Sequence, residues 1–163
     1  MRVLKRFNEF LVTVGSWGTI LFMVVIATVI PYEVIGRYVF QKMSMWSGEV
    51  STYSLVWASM LGGAVGLKKG YMISMEAVLD AVPPALVRIL KWVSYFCALF
   101  FFGTMFGYGL FQTIYNAHQT SPAIGLVMSF PYAALPTGFF IMFFLTLEEL
   151  LVSLGLGPKG EGR

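Results

Sequence analysis

Residues 92–147 read WVSYFCALFFFGTMFGYGLFQTIYNAHQTSPAIGLVMSFPYAALPTGFFIMFFLTL, and no Asp, Glu, Lys or Arg interrupts this stretch. A transmembrane helix needs about 20 apolar residues, so the stretch is long enough for two crossings with a turn between them. We predict one span over about residues 92–115, entered from Pro84 as a first-turn residue, and another over about 127–147. The residues from Asn116 to Pro122 form the predicted polar turn that joins them.

Two more uncharged runs lie upstream, at residues 10–32 and 50–67. The basic N-terminus, from Met1 to Arg6, resembles the start of a secretory signal, but the apolar run after it is too long and lacks a small-x-small cleavage site. We therefore predict a retained first span. Hydrophobic residues form 58% of the chain and charged residues 12%, against about 25% charged in soluble domains. The fold class is an all-α membrane protein, with four transmembrane helices in a single domain over residues 1–163.

The distribution of Lys and Arg predicts the orientation. With four spans, the two tails and the loop between spans two and three share one side of the membrane. That side holds most of the basic residues: Arg2, Lys5, Arg6, Lys68, Lys69, Arg88, Lys91, Lys159 and Arg163. The other side holds only Arg37 and Lys42. Because cytoplasmic loops carry the excess of Lys and Arg, both termini are predicted to be cytoplasmic.

Two connecting segments show helical spacing of their own. Glu33 and Arg37 are four residues apart, which places them on one helix face and predicts that the first helix continues past Pro31 to about Phe40. Between Met72 and Val82, apolar residues recur at helical spacing with polar residues between them. This pattern predicts a short amphipathic helix in the cytoplasmic interface, between spans two and three.

The chain lacks the residue sets that enzymes, metal sites and cofactor sites need. All acids and bases lie at or beyond the predicted span ends, whereas pumps keep ionisable groups inside the membrane. His118 is the only histidine and Cys97 the only cysteine, so the sequence offers neither the two histidine ligands of a typical membrane haem nor a disulfide. The net charge of +3 comes from basic residues at span ends and does not indicate nucleic-acid binding. We expect no enzymatic activity, no cofactor and no metal.

Small residues recur every four positions in two of the spans. Span two carries Ala58, Gly62 and Gly66, and span three carries Gly103 and Gly107. Such faces let helix backbones approach closely in lipid. They serve either packing among the four helices or docking onto a larger partner, and the sequence leaves both uses open.

Several motifs, taken in order, resemble the small membrane subunit, of the DctQ type, of tripartite ATP-independent periplasmic (TRAP) transporters. The first run is Arg37-Tyr38-Val39-Phe40, Trp46, Glu49, Trp57, Gly62-Gly63-Ala64 and Lys68-Lys69-Gly70, and the later residues are Ser121-Pro122, Met128, Tyr132, Pro136 and Gly138. The resemblance covers about residues 34–142. Two features depart from the family pattern: Tyr71-Met72 stand where the family often has a His and an aliphatic residue, and Phe130-Pro131 adds a proline.

The resemblance implies a scaffold subunit in the bacterial inner membrane. It implies a large permease subunit, bound one to one, that holds the substrate and sodium sites, and a periplasmic binding protein that delivers an organic acid. The substrate itself would contact the other subunits. The candidate structural and partner-docking residues in this chain are Arg37, Trp46, Glu49, Ala58, Gly62, Gly66 and Pro136. We also predict that Arg37 and Glu49 pair with each other at the periplasmic membrane edge.

Two other functions remain as alternatives. A self-contained four-helix exporter would need a carboxylate well inside span one, and Glu33, at the outer end of that span, is the only candidate. A membrane redox subunit is disfavoured by the single histidine.

Overall fold

A computed structural model describes residues 2–41, 44–79 and 84–154, although the side chains of residues 2, 3, 69–79, 84, 85 and 88 are not among the described parts. Helix α1 covers Arg2–Tyr38, α2 covers Met45–Leu79 and α3 covers Pro84–Tyr115. A 3-10 turn at Asn116–His118 follows, and then the short helix α4 (Ser129–Tyr132) and helix α5 (Ala134–Ser153). An isolated β-bridge joins Thr120 to Val127.

Among the described residues, four helical segments are long and apolar enough to cross a membrane, which confirms the predicted fold class. They cover Leu4–Tyr38, Met45–Lys68, Ile89–His118 and Ser129–Ser153. The first three exceed the predicted spans at both ends, because helix continues into the flanking residues, and the fourth runs past its predicted end to Ser153. The fourth is interrupted at Ala133, between α4 and α5.

The helices pack side by side in the order α1, α2, α5, α3. Helices α2 and α5 are therefore central, whereas α1 and α3 each present a broad apolar face outward. The buried core lies between the central helices and consists of Leu61, Ala64, Ile141 and Leu145. Helices α2, α3 and α5 cross the bundle in alternating directions along the chain. Helices α2 and α5 therefore run in the same direction.

Glycines allow these helices to approach closely. A Cβ atom placed on Gly138 of α5 would lie 2.8 Å from the Met60 Cβ and 3.2 Å from the Met60 backbone oxygen on α2. On the other side of α5, a Cβ on Gly109 of α3 would lie 3.0 Å from Pro136. Without a hydrophobic driving force between helices in lipid, such close backbone contact is a main source of helix association.

The two predicted helical extensions had different outcomes. Helix α1 does continue through Pro31 to Tyr38, as the spacing of Glu33 and Arg37 predicted. The segment from Met72 is helical as far as Leu79, but it continues α2 without a break rather than forming a separate helix. No proline occurs between Met45 and Pro83 that could end α2 earlier. Residues 80–82 of the predicted amphipathic helix, and the side chains that would define its apolar face, lie outside the described parts.

Candidate functional site

Glu49 of α2 anchors the connection between α3 and α4. Its carboxylate accepts hydrogen bonds from the Ser121 hydroxyl and, at 3.2 Å, from the backbone N–H of Ala123. Ser121 is buried, with 4% of its surface exposed. Hydrogen bonds to a charged acceptor are among the stronger ones in proteins. Glu49 therefore holds this connection against the first turns of α2.

The loop from Gln119 to Met128 also has internal hydrogen bonds. The Ser121 N–H donates to the Leu126 carbonyl at 2.8 Å, and the Gly125 N–H donates to the Ser121 carbonyl at 3.0 Å. Gly125 has a φ of 67°, a left-handed conformation that glycine adopts without steric penalty. Together with the Glu49 contacts, these hydrogen bonds restrain the backbone of the loop.

Two further side chains of α2 continue the face that begins with Glu49. Tyr53 and Trp57 follow at four-residue intervals; the Tyr53 hydroxyl contacts the Met128 sulfur at 3.6 Å, and the Trp57 indole N–H donates to the Phe130 carbonyl at 3.2 Å. The Phe130 carbonyl lies where the fourth span is interrupted, and backbone groups freed by a break in lipid must find other partners. Trp57 supplies one of these partners.

The predicted Arg37–Glu49 pair is wrong. Arg37 pairs instead with Glu33, one helical turn earlier, with 3.3 Å between the Arg37 Nη2 and the Glu33 Oε1. Glu49 faces the other way, toward Ser121. Glu33 is four residues from Arg37 on the same helix, so this pair forms without any alignment between two helices, which a pair with Glu49 would require. Both partners of this pair are partly exposed, and such pairs contribute only about 0.3–0.5 kcal/mol.

Trp46 lies at the start of α2, where its ring contacts Tyr32 of α1 with 5.8 Å between the ring centroids. The Trp46 side chain remains partly exposed. The pair joins the two helices at the same end of the bundle as Glu49, in a position typical of aromatic residues at a membrane interface.

A second polar cluster lies at the opposite end of the bundle. Asn8 of α1 is fully buried, and its amide nitrogen donates to the Phe144 carbonyl at 3.1 Å and to the Glu148 carboxylate at 2.7 Å. The Lys68 ammonium lies 3.8 Å from the same carboxylate oxygen. The cluster therefore joins α1, α2 and α5, and no sequence pattern indicated the Asn8 contacts.

The two polar clusters are separated by about one hydrocarbon thickness. From Glu49 to Lys68, α2 rises about 28 Å at 1.5 Å per residue, and the hydrocarbon core of a bilayer is about 30 Å thick. No charged residue of α2 lies between them. The apolar middle of the bundle thus matches the membrane, with its polar anchors at the two edges.

The small residues of span two face different surroundings. Ala58 is buried, and a Cβ on Gly62 would lie 3.3 Å from the Thr19 methyl carbon of α1, so both are occupied by packing within the chain. Gly66 has nothing within 4 Å of its Cβ position. Of the three small residues predicted on this helix face, Ala58, Gly62 and Gly66, only Gly66 leaves space for a neighbouring protein.

In span three, a Cβ on Gly103 would lie 3.7 Å from the Phe143 ring, whereas that of Gly107 would contact nothing within 4 Å. Pro136 is buried against Gly109, which makes it a packing residue between α3 and α5.

The close approach at Gly138 was not predicted, although Gly138 stands among the residues that carry the family resemblance. Gly138 follows the fully buried Ala134 by four residues, a small-xxx-small spacing that would have indicated this contact face.

Within the described ranges, no group of three or more His, Cys, Asp or Glu residues is placed to hold a metal ion. His118 lies exposed at the end of the 3-10 turn, and Cys97 is exposed on α3. Neither residue belongs to the two polar clusters described above.

Comparison with known proteins identifies relatives of the chain. It is 28% identical over 143 residues to the isethionate TRAP transporter permease protein DctMQ of Oleidesulfovibrio alaskensis, an alignment that covers 84% of this chain and 22% of that protein. It is 25% identical over 119 residues to the C4-dicarboxylate TRAP transporter small permease protein DctQ of Rhodobacter capsulatus, covering 72% of this chain and 51% of that protein. The chain thus spans about half, or less, of the length of these relatives.

The family model for the DctQ component of tripartite ATP-independent periplasmic transporters matches residues 26–155. This range includes both halves of the Glu49 cluster, the Trp57 contact and the Gly138 contact. The match confirms the resemblance drawn from the sequence motifs and, with the four candidate spans, supports a multi-pass protein of the inner membrane. The chain belongs to the DctQ component family of TRAP transporters, whose members are transporter components and not enzymes.

Proposed function

We propose that this chain is the fixed membrane scaffold of a sodium-coupled transporter that takes up an organic acid. Its partners are one copy of a large multi-span permease subunit, which holds the substrate and sodium sites, and a periplasmic binding protein that delivers the substrate. The family match carries this proposal.

The structure supports a scaffold role because its polar groups anchor rather than transport. The described charged side chains lie at or near the ends of the candidate spans, and the buried polar contacts of Glu49 and Asn8 tie helices or loops together. A rigid subunit of this kind enlarges the stationary part against which a transport domain moves. A self-contained exporter is not supported, because Glu33 lies near the end of α1 in an ion pair with Arg37.

The relatives support the substrate class and the large partner. One is named for isethionate and the other for C4-dicarboxylates, and both substrates are small organic anions. The isethionate relative is far longer than the region that this chain matches, which supports a small unit working with a larger polypeptide. We extend both features to this chain as part of the proposal.

Uptake is expected to require all three components. When it is reconstituted alone into proteoliposomes, the chain should transport no organic acid. Affinity purification from cells that co-express the large permease subunit should recover that subunit in an amount equal to this chain. Uptake driven by a sodium gradient should appear only when that protein and the binding protein are both present. The matched control is the large subunit without this chain. Transport by the chain alone would contradict the scaffold role.

Both termini are expected to face the cytoplasm, with the Gln119–Met128 loop in the periplasm. The excess of Lys and Arg at the Asn8 end of the bundle is the physical reason. Alkaline phosphatase, which is active only outside the cytoplasm, should be active when fused after Ala123 and inactive when fused after Arg163. The reverse pattern would refute this orientation.

A further inference from the structure

A cleft of about 480 Å³ opens between the end of α1 and the start of α2. Its lining comes from both sides of this junction and includes Tyr32, Gly36, Phe40, Met45 and Trp46. The aromatic walls are accessible, since Tyr32 is 58% and Trp46 42% exposed. Gly36 contributes no side chain that could fill the space. This feature, here named the α1–α2 cleft, therefore has room for a ligand between aromatic side chains.

The α1–α2 cleft lies at the level of lipid headgroups. The apolar part of α2 between Glu49 and Lys68 matches the hydrocarbon core in length, so Glu49 marks one edge of that core. Trp46 lies three residues before Glu49, which places it about 4.5 Å further out at about 1.5 Å per residue. Its ring contact with Tyr32 puts this part of α1 at the same level. Because the headgroup layer on each side of a bilayer is about 5–7 Å thick, both rings lie within that layer.

Two opposite charges lie beside the α1–α2 cleft. Glu33 directly follows Tyr32 on α1. Arg37 directly follows Gly36, and with about 3.6 residues per turn the two charged residues lie on the same side of the cleft. The Arg37 side chain is 51% exposed and the Glu33 side chain 24%. Their ion pair uses the Nη2 of Arg37, and a guanidinium carries further N–H donors. Arg37 can therefore bind a second anionic group.

A zwitterionic phospholipid headgroup matches this arrangement of charges. The Arg37 guanidinium forms charge-assisted hydrogen bonds with a phosphate group. The ammonium group of the lipid is attracted by the Glu33 carboxylate and by the faces of the Tyr32 and Trp46 rings, which carry partial negative charge. A headgroup with a phosphate but no ammonium leaves Glu33 facing a like charge. The charges beside the cleft therefore favour a zwitterionic headgroup over an anionic one.

We propose that the α1–α2 cleft binds one zwitterionic phospholipid, of the phosphatidylethanolamine class, from the leaflet at the Glu49 end of the bundle. The phosphate lies at Arg37, the ammonium lies at Glu33 and the aromatic rings, and the glycerol part fills the cleft. The inference requires only that the chain lies in a bilayer and does not depend on the transport proposed above. The bound lipid holds the end of α1 against the start of α2, where the protein's own side chains leave a gap.

The test uses the full chain in phosphatidylglycerol nanodiscs, both alone and in complex with its large subunit. The nanodiscs contain a trace of phosphatidylethanolamine with a photoreactive diazirine next to the headgroup, and mass spectrometry measures the cross-link yield on residues 32–46. Unlabelled phosphatidylethanolamine that replaces part of the phosphatidylglycerol should lower this yield, with and without the large subunit. In Arg37→Gln and Trp46→Leu the yield should fall about fivefold, because each variant removes one contact with the headgroup.

Arg6→Gln is the matched control, since Arg6 is also an exposed arginine of α1 but lies at the opposite end of the bundle. It should leave the yield on residues 32–46 unchanged. An unchanged yield in Arg37→Gln, which removes only an exposed charge, would overturn the proposed site. A yield that unlabelled phosphatidylethanolamine does not lower would also overturn it, by showing that the headgroup is not recognised. Loss of the cross-link in the complex alone would assign the cleft to the large subunit instead of a lipid.

Discussion

Replacement of Gly138 by valine is expected to prevent stable packing of α5 against α2. Even a single added carbon would lie 2.8 Å from the Met60 Cβ and 3.2 Å from the Met60 backbone oxygen. Neither atom belongs to the flexible end of a side chain, so the helices themselves must separate. Overpacking of this kind costs about 1–3 kcal/mol and occasionally more, and valine should exceed alanine. The free energy of unfolding in detergent and the recovery of monodisperse chain measure the effect.

Gly107 provides the matched control for this substitution. It also lies within a helix, but a Cβ at its position would contact nothing within 4 Å. Gly107→Ala should therefore be neutral or slightly stabilising, because alanine favours a helix by about 1 kcal/mol over glycine. If Gly138→Ala proved as stable as Gly107→Ala, the central helices would not depend on close contact at Met60.

Removal of the Glu49 carboxylate is expected to release the loop between α3 and α4. In Glu49→Ala, the buried Ser121 hydroxyl and the Ala123 N–H both lose their acceptor. Loss of hydrogen bonds to a charged group should destabilise the chain by about 1.5–3 kcal/mol. Unfolding in detergent gives the change in free energy, and hydrogen exchange at residues 119–128 shows whether the loop opens.

A double-mutant cycle separates this contact from a general effect of charge. Ser121→Ala should destabilise the chain less when Glu49 is already alanine, with a coupling energy of about 0.5–3 kcal/mol. Glu33→Ala is the control, since its partly exposed pair with Arg37 should contribute only about 0.3–0.5 kcal/mol. Additive effects of Glu49→Ala and Ser121→Ala would argue against the contact.

The family resemblance identified important residues without assigning their contacts. Glu49, Ser121 and Gly138 all belong to the motifs that carry the resemblance, yet nothing in their spacing joined residue 49 to residue 121. The sequence favoured Arg37 as the partner of Glu49 because both lie near the same predicted membrane edge. In the structure, Arg37 finds a partner on its own helix, which leaves Glu49 to bind the loop.

The sequence by itself determined the properties that depend on local composition. Long uncharged runs require membrane helices, because charges and unpaired backbone groups are costly in lipid, and the spacing of Glu33 and Arg37 extends α1 by local pairing alone. The helix order α1, α2, α5, α3, the Met60–Gly138 contact and the Asn8–Glu148 bond depend on how faces of distant helices meet. Every helix here is apolar on nearly all sides, so hydrophobic periodicity does not mark an inner face, and only tertiary packing decided which small and polar residues meet.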